Sequence, residues 1–224
     1  FNPNPHNYSS TIESFSVGGF DVDVVVEDPG LCSSFAAVRV DGVKVEDSSD
    51  GTRTALESIG QRSINNIVDL TNYIQFAINK PIHAYDANNI DGALVVRLAK
   101  EGEELETLDD RLLKLDKDTL IIADKSKPLG LAGIKGGKYS GINKDTTSII
   151  IESANFKPSL IRKTAEKYKI KTDASKRFEN GISNKLVDES ITAVVSELLR
   201  MFPDAKVSKV VKVEDKELKL IKVG

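Results

Sequence analysis

Apolar and polar positions alternate from Val17 through Phe20, Val22, Val24 and Val26, with Asp21 and Asp23 between them, and this period of two predicts a strand over residues 16–27. Asp28-Pro29-Gly30 ends it. Residues 35–45 resume strand character, with a turn or bulge at Asp41-Gly42. The spacing then changes. Thr54 to Ile59 reads as a short helix stopped by Gly60. Ile67, Leu70, Ile74 and Ile78 recur at intervals of three and four, predicting a longer helix over 66–79 with one buried face and an end at Pro81. Thr71 falls inside that apolar stripe and Asn72 lies beside it, so a polar pair interrupts a helical pattern.

Farther on, residues 94–99 read as a strand, 102–118 as a hairpin about Asp109-Asp110, and 119–123 as a compact buried strand. Leu129 to Gly137 holds four glycines in nine residues and reads as a loop. Residues 148–152 form another buried strand with Glu152 at its end. Pro158 suits the first turn of a helix to about Tyr168. A short helix over 173–180 would be capped by Gly181. Leu186, Ile191, Val194, Val195, Leu198 and Leu199 make a stripe for a helix over 184–201, stopped by Pro203, and 206–223 reads as two strand-like runs. Strands and helices mix without strict alternation. The expected class is α+β, with mixed or antiparallel sheets in a sandwich-like core and flanking helices.

At 224 residues, 40% hydrophobic and 29% charged, the chain can bury a sizeable core. No apolar run reaches the roughly 18 residues of a membrane span, and no signal-peptide pattern opens the chain. The lone Cys32 has no partner for an internal disulfide, which favours a reducing, cytoplasmic location. The chain begins at Phe1 and its one methionine is Met201, so a segment of a longer chain, or a processed one, is expected. Net charge is −3, but its distribution is uneven: residues 1–60 carry ten acids against three bases, and 157–177 carry eight bases against Glu166 and Asp173. That basic segment suits either a phosphate-contacting face or a solvated helix surface.

Several chemistries are excluded. No serine sits in a G-x-S-x-G elbow. The run ending at Gly137-Lys138 fails as a phosphate loop, because Ala132 stands where the first glycine belongs and Tyr139 where a Ser or Thr is needed. His6, His83 and Cys32 lack metal-ligand spacing, so no metal site is expected. The glycine-rich stretch can bring its backbone close to a ligand or simply turn the chain. His83 can orient a water or serve as a hydrogen-bonded structural residue. Glu152, after three isoleucines, can cap a backbone or read a ligand hydroxyl or amine.

Five blocks in register carry a resemblance: SINNIVDLTNYI (63–74), KPIHAYDANNI (80–90), LGLAGIKGG (129–137), IIIESANFKPSLIRKTA (149–165) and TDASKRFENG (172–181). Together they resemble the central editing domain of the β subunit of bacterial phenylalanyl-tRNA synthetase. The resemblance implies a lead-in over 1–27, an editing domain over 28–205 and a connector over 206–224. It implies hydrolysis of tyrosyl-tRNA formed in error, a task imposed because a pocket for phenylalanine discriminates weakly against an added hydroxyl. Carried over by motif, Glu152 would read the tyrosine hydroxyl, and Ala132 and Gly133 would close against the amino acid. Thr71, Asn72 and His83 would surround the ester and its water, while Arg62, Thr172 and Ala174 would line the pocket or its entrance. Lys135, Lys176 and Asn180 depart from the family pattern. The implied partners are the acceptor end of tRNA(Phe) and a synthetase α subunit in an α2β2 assembly, with no membrane. ATP and Mg2+ would serve the whole synthetase, with no cofactor in this segment. The alternative is a tRNA-docking or subunit-interface module without hydrolysis.

Overall fold

The computed structural model describes residues 21–214. Its elements are β1 (Val24–Val26), β2 (Cys32–Asp41), α1 (Asp50–Ser58), α2 (Asn66–Ile78), β3 (His83–Asp86), β4 (Leu94–Leu98), β5 (Glu104–Glu106), β6 (Leu112–Lys114), β7 (Leu120–Ala123), β8 (Pro128–Leu131), β9 (Lys135–Gly136), β10 (Ser148–Phe156), α3 (Pro158–Tyr168), α4 (Asp173–Phe178), α5 (Lys185–Met201), β11 (Lys206–Val207) and β12 (Val211–Glu214). One sheet runs β1-β4-β7-β8-β9, with β1 parallel to β4 and the other pairs antiparallel. The second runs β11-β2-β10-β3, all antiparallel, with β12 also on β2. β5 and β6 form a separate hairpin. This is the expected α+β class.

The core has two parts because β2 and β10 are apolar on both faces. On one side Phe35, Ala37, Ile150 and Ala154 meet Leu94, Val96, Ile121 and Leu131 of the first sheet, which makes the sandwich. On the other, Val38, Val40, Ile149 and Ile151 meet Ile67, Leu70 and Ile74 of α2 and Ile191, Val194 and Leu198 of α5. A strand buried on both faces reads as a continuous apolar run, which is how SIIIE appears in the sequence.

Several expectations need correction. Glu152 is not at a strand end. β10 continues through Ser153, Ala154 and Asn155 to Phe156, and Glu152 is in its middle. The small and polar residues after Glu152 hid the continuation. The glycine-rich loop is the hairpin β8–β9, with Gly130 paired to Gly136 and Leu131 to Lys135. Helix α2 is ended by Asn79, in the left-handed conformation at φ 57°, before Pro81 is reached. Helix α1 begins four residues before the expected Thr54, because Ser49 accepts from the Thr52 amide. In α5, Val187 is buried and Leu186 only partly so. Within 206–214, where strand-like runs are expected, β11 and β12 do form, and they pair along β2. Of the strand expected over 16–27, Val24–Val26 is strand, and residues 16–20 lie outside the described part.

Helix α2 is fastened at its start. Asn65 accepts from the amides of Ile67 and Val68, at 3.1 and 2.9 Å. The buried carboxylate of Asp69 accepts from Ser48, Ser63 and the Ile64 amide, at 2.5, 2.5 and 2.8 Å. These contacts fix the helix whose end delivers Lys80 and then β3.

Candidate functional site

The pairing of β3 with β10 places His83 directly across from Glu152 and Tyr85 across from Ile150. Side chains two apart on a strand share a face, so His83, Tyr85 and Glu152 face one space between the sheets. A cavity of about 80 Å³ lies there, bounded by these three residues, by Ile122, Leu131 and the β8–β9 hairpin, and by Ala174 and Phe178 of α4.

Two glycines shape its wall. At Gly136 a Cβ would lie 2.6 Å from His83 Cε1 and 2.9 Å from its Nε2, so the backbone of β9 rests against the imidazole and any side chain there would displace it. Gly133 has φ +67°, and a Cβ there would lie 2.8 Å from Phe178 and 2.9 Å from Phe156. It turns the hairpin where a side chain is excluded both by conformation and by space.

The site's charges are buried. The Tyr85 hydroxyl donates to Oε2 of Glu152, while Oε1 accepts no hydrogen bond among the described residues. Burial raises the Glu152 pKa to about 7, opposed by the Tyr85 hydrogen bond and the positive charge of Lys80. The Tyr85 hydroxyl is itself pushed well above the usual range, by burial and then by the nearby carboxylate. His83 is partly exposed as a residue, yet its Nε2 is buried without a hydrogen-bond partner among the described residues. Desolvation pulls its pKa down to about 4, so the imidazole is neutral at neutral pH. The Tyr85 ring meets the His83 ring edge-on, with centroids 4.5 Å apart. Lys80 is fully buried, and its ammonium donates to the Ala154 carbonyl at 2.5 Å and to the Asn155 side chain. Burial lowers its pKa to about 7, against the carboxylate of Glu152.

Of the residues named from sequence, the fold brings His83, Glu152, Gly133 and Ala174 to the cavity wall. Ala132 is buried next to Gly133 at the hairpin turn. Thr172 is the N-cap of α4, in a capping box with Ser175, and its hydroxyl donates to the Ile134 carbonyl at 2.9 Å. It thereby ties the start of α4 to that hairpin. Thr71 and Asn72 are on α2, outside the residues that bound the cavity. Thr71 is buried and its hydroxyl donates to Val68 O at 2.8 Å. Arg62 is exposed, next to Gln61, whose amide reaches Asp173 at 3.1 Å. Tyr85, Gly136 and Phe178 were missed. Tyr85 had a signal, since it follows His83 by two in a strand, and Gly136 had one in the glycine count. Phe178 had none.

The unusual residues also have places. Lys135 bounds the cavity and lies 3.6 Å from Asp109. Lys176 is exposed, 3.7 Å from Asp173, and Asn180 donates to the Lys176 carbonyl at 2.7 Å. In the basic segment, Lys163, Lys167 and Arg177 have carboxylate partners in Asp118, Asp116 and Asp173. Lys157, Lys169 and Lys171 are exposed and make no ion pair among the described residues. Cys32 is a free, buried thiol donating to the Ser34 carbonyl at 3.3 Å, its pKa pushed up to about 12 by burial, which disfavours the thiolate. Among the described residues no group of three His, Cys, Asp or Glu is placed to hold a metal ion, and no helix is long and apolar enough to cross a membrane.

A family model described as the B3/4 domain matches residues 31–203. The chain belongs to the B3/4 domain family. The phenylalanine–tRNA ligase beta subunit of Aquifex aeolicus is 40% identical over 173 residues, and that of Bacteroides thetaiotaomicron is 42% identical over 181. Each match covers 77% of this chain and 22% of the relative, so the chain spans about a fifth of their length. The B3/4 fold is also met in the crystal structure of an N-terminal fragment of the phenylalanyl-tRNA synthetase beta subunit from Pyrococcus horikoshii. That structure has a TM-score of 0.55 at 13% identity, over 94% of this chain and 59% of that one. The resemblance read from five sequence blocks therefore holds over most of the chain.

Proposed function

We propose that this B3/4 domain is the editing part of a phenylalanine–tRNA ligase β subunit and hydrolyses tyrosine esters made in error on tRNA(Phe). The observation that carries the reading is Glu152: a buried carboxylate on the cavity wall, with one oxygen held by Tyr85 and the other open to a ligand donor. A tyrosine hydroxyl supplies that donor and phenylalanine does not. Sites that hydrogen-bond a substrate hydroxyl reject the analogue lacking it far better than apolar pockets reject its addition.

In the reaction, a water oxygen attacks the ester carbonyl and the bond from that carbon to the ribose oxygen breaks. The ribose oxygen takes a proton, and free tyrosine and deacylated tRNA leave. His83 is directly opposite Glu152. As a neutral imidazole of low basicity, it is better suited to holding the water than to carrying off its proton. Thr71 and Asn72 on α2 and Arg62 at the approach would meet the ester and the terminal nucleotide. Ala132, Gly133, Thr172 and Ala174 would hold the amino acid from the hairpin and α4. The exposed Lys157, Lys169 and Lys171 suit the phosphates of the acceptor end. The α subunit, in an α2β2 assembly, would carry aminoacylation with its ATP and Mg2+.

The test is deacylation of tyrosyl-tRNA(Phe) and phenylalanyl-tRNA(Phe) by the intact ligase, with and without Glu152→Ala. The unaltered enzyme should prefer the tyrosyl ester, and the substitution should reduce that preference at least about tenfold, the value of one charge-assisted hydrogen bond. Equal handling of both esters by the unaltered enzyme would leave a docking module as the better description.

A further inference from the structure

Glu152 has two neighbours able to donate to it across β3: His83, directly opposite, and Tyr85, on the diagonal. The carboxylate is bonded to the diagonal one. Directly opposed side chains are the closer pair in a sheet, but diagonal neighbours come within reach of long aromatic residues. Tyr85 is 2% exposed, packed edge-on against His83 and hydrogen-bonded to Glu152. One aromatic side chain thus contacts both the imidazole and the carboxylate.

A carboxylate with two open oxygens can turn about its terminal torsion and accept donors from many directions. With one oxygen pinned, that rotation is stopped and the other presents its lone pairs one way. The contact also shows which kind of donor fits, since Tyr85 is itself a phenol. Lys80 is buried with neutral acceptors, and its charge favours the ionised form of Glu152.

We infer that Tyr85 is a positioning residue for hydroxyl selection: its phenol pins one oxygen of Glu152 and so leaves a single oriented acceptor for the phenol of a tyrosyl ester. This deepens the proposed editing activity and rests on it. Tyr85 does not touch the reacting atoms. It acts through Glu152.

Tyr85→Phe removes the hydroxyl and keeps the ring against His83. The experiment measures kcat/KM for the tyrosyl and phenylalanyl esters in the intact ligase across the neutral pH range. Glu152→Ala is run in parallel and thermal unfolding is followed for each protein. Tyr85→Phe should lower the tyrosyl-to-phenylalanyl ratio about tenfold, corresponding to one hydrogen-bonding interaction. It should also move the pH dependence of that ratio upward, because the lost hydrogen bond favoured the charged carboxylate. An unchanged ratio and pH profile, or an equal fall for both esters, would overturn the inference and leave Tyr85 a packing residue. If Glu152→Ala leaves the ratio intact, the editing reading itself fails and the inference falls with it. A ratio lost in Glu152→Ala but kept in Tyr85→Phe defeats the inference alone.

Discussion

On one face of β10, Ile149, Ile151 and Ser153 turn toward α2 and α5. On the other, Ile150, Glu152 and Ala154 turn toward the first sheet and its cavity. The first face is closed: its isoleucines are fully buried, and its polar residues are satisfied, Ser153 by Ser190 at 2.8 Å and the Asn155 amide by the Ile182 carbonyl at 2.9 Å. The second keeps a carboxylate with an open oxygen and, across from it, an imidazole nitrogen with no partner among the described residues. Burying polar groups without full satisfaction costs stability. A strand of nine residues therefore separates the two tasks by its period of two: the helix-facing positions hold the domain together, and the cavity-facing ones spend some of that stability on a site.

The largest effect is expected on the closed face. Ile151→Ala removes a fully buried side chain between α2 and α5, and truncations of this kind cost about 2–5 kcal/mol. Urea unfolding should show that loss, with little dependence on pH, while the folded ligase keeps its preference between the two esters. A loss below about 1 kcal/mol, less than expected from such a cavity, would mean that the helix-facing side is not the stabilising one.

The cavity face should respond to pH instead, and its two members in opposite directions. Glu152 has its pKa raised from 4.5 to about 7 in the fold. Its contribution is fully present below 4.5 and is lost as pH rises toward 7, because the unfolded chain ionises first. The stability of the native protein relative to Glu152→Gln should therefore fall across that window. His83 is lowered from 6.5 to about 4. Its contribution is present above 6.5 and is lost as pH falls toward 4, so the stability relative to His83→Gln should rise with pH over that range. Each swing should be on the order of 3 kcal/mol, from shifts of this size at about 1.4 kcal/mol per pH unit. The two contributions oppose each other, so the differences between the native protein and each variant should slope in opposite directions with pH. Parallel profiles for both variants would show that the cavity-facing groups are not buried as described.

How much of this was readable beforehand depended on where the information lay. The elements followed from local pattern: α3 begins at Pro158, as proline at a first turn implies, and α2 carries the stripe set by Ile67, Leu70 and Ile74. The continuation of β10 was hidden because Ser153, Ala154 and Asn155 have little strand character, and β2 holds them there by pairing. The same limit applies to the site. His83 and Glu152 were candidates as rare or misplaced polar residues. Their direct opposition is a matter of register between segments 69 positions apart, which no local signal specifies. Tyr85 was not singled out, because its part in the site lies in a hydrogen bond to Glu152, 67 positions away in the chain. Thr71 and Asn72 stood out as a polar interruption, and Thr71 is accounted for locally by its bond to the preceding turn.

The smallest effect sharpens the contrast between the faces most directly, because it compares one polar pair with another. Ser153 and Ser190 are both fully buried, and Ser190 also reaches the Val187 carbonyl at 2.8 Å. Ser190→Ala leaves the Ser153 hydroxyl without its partner and should cost about 1 kcal/mol. Adding Ser153→Ala removes the stranded group, so the double variant should recover part of the loss, with a coupling of about 0.5–1 kcal/mol in the double-mutant cycle. None of these variants should alter ester preference or its pH dependence, whereas removing the Tyr85 hydroxyl should alter both. If the serine pair moved the ester ratio as Tyr85→Phe does, the two faces of β10 would be energetically continuous, and the division between a stabilising side and a selecting side would be lost.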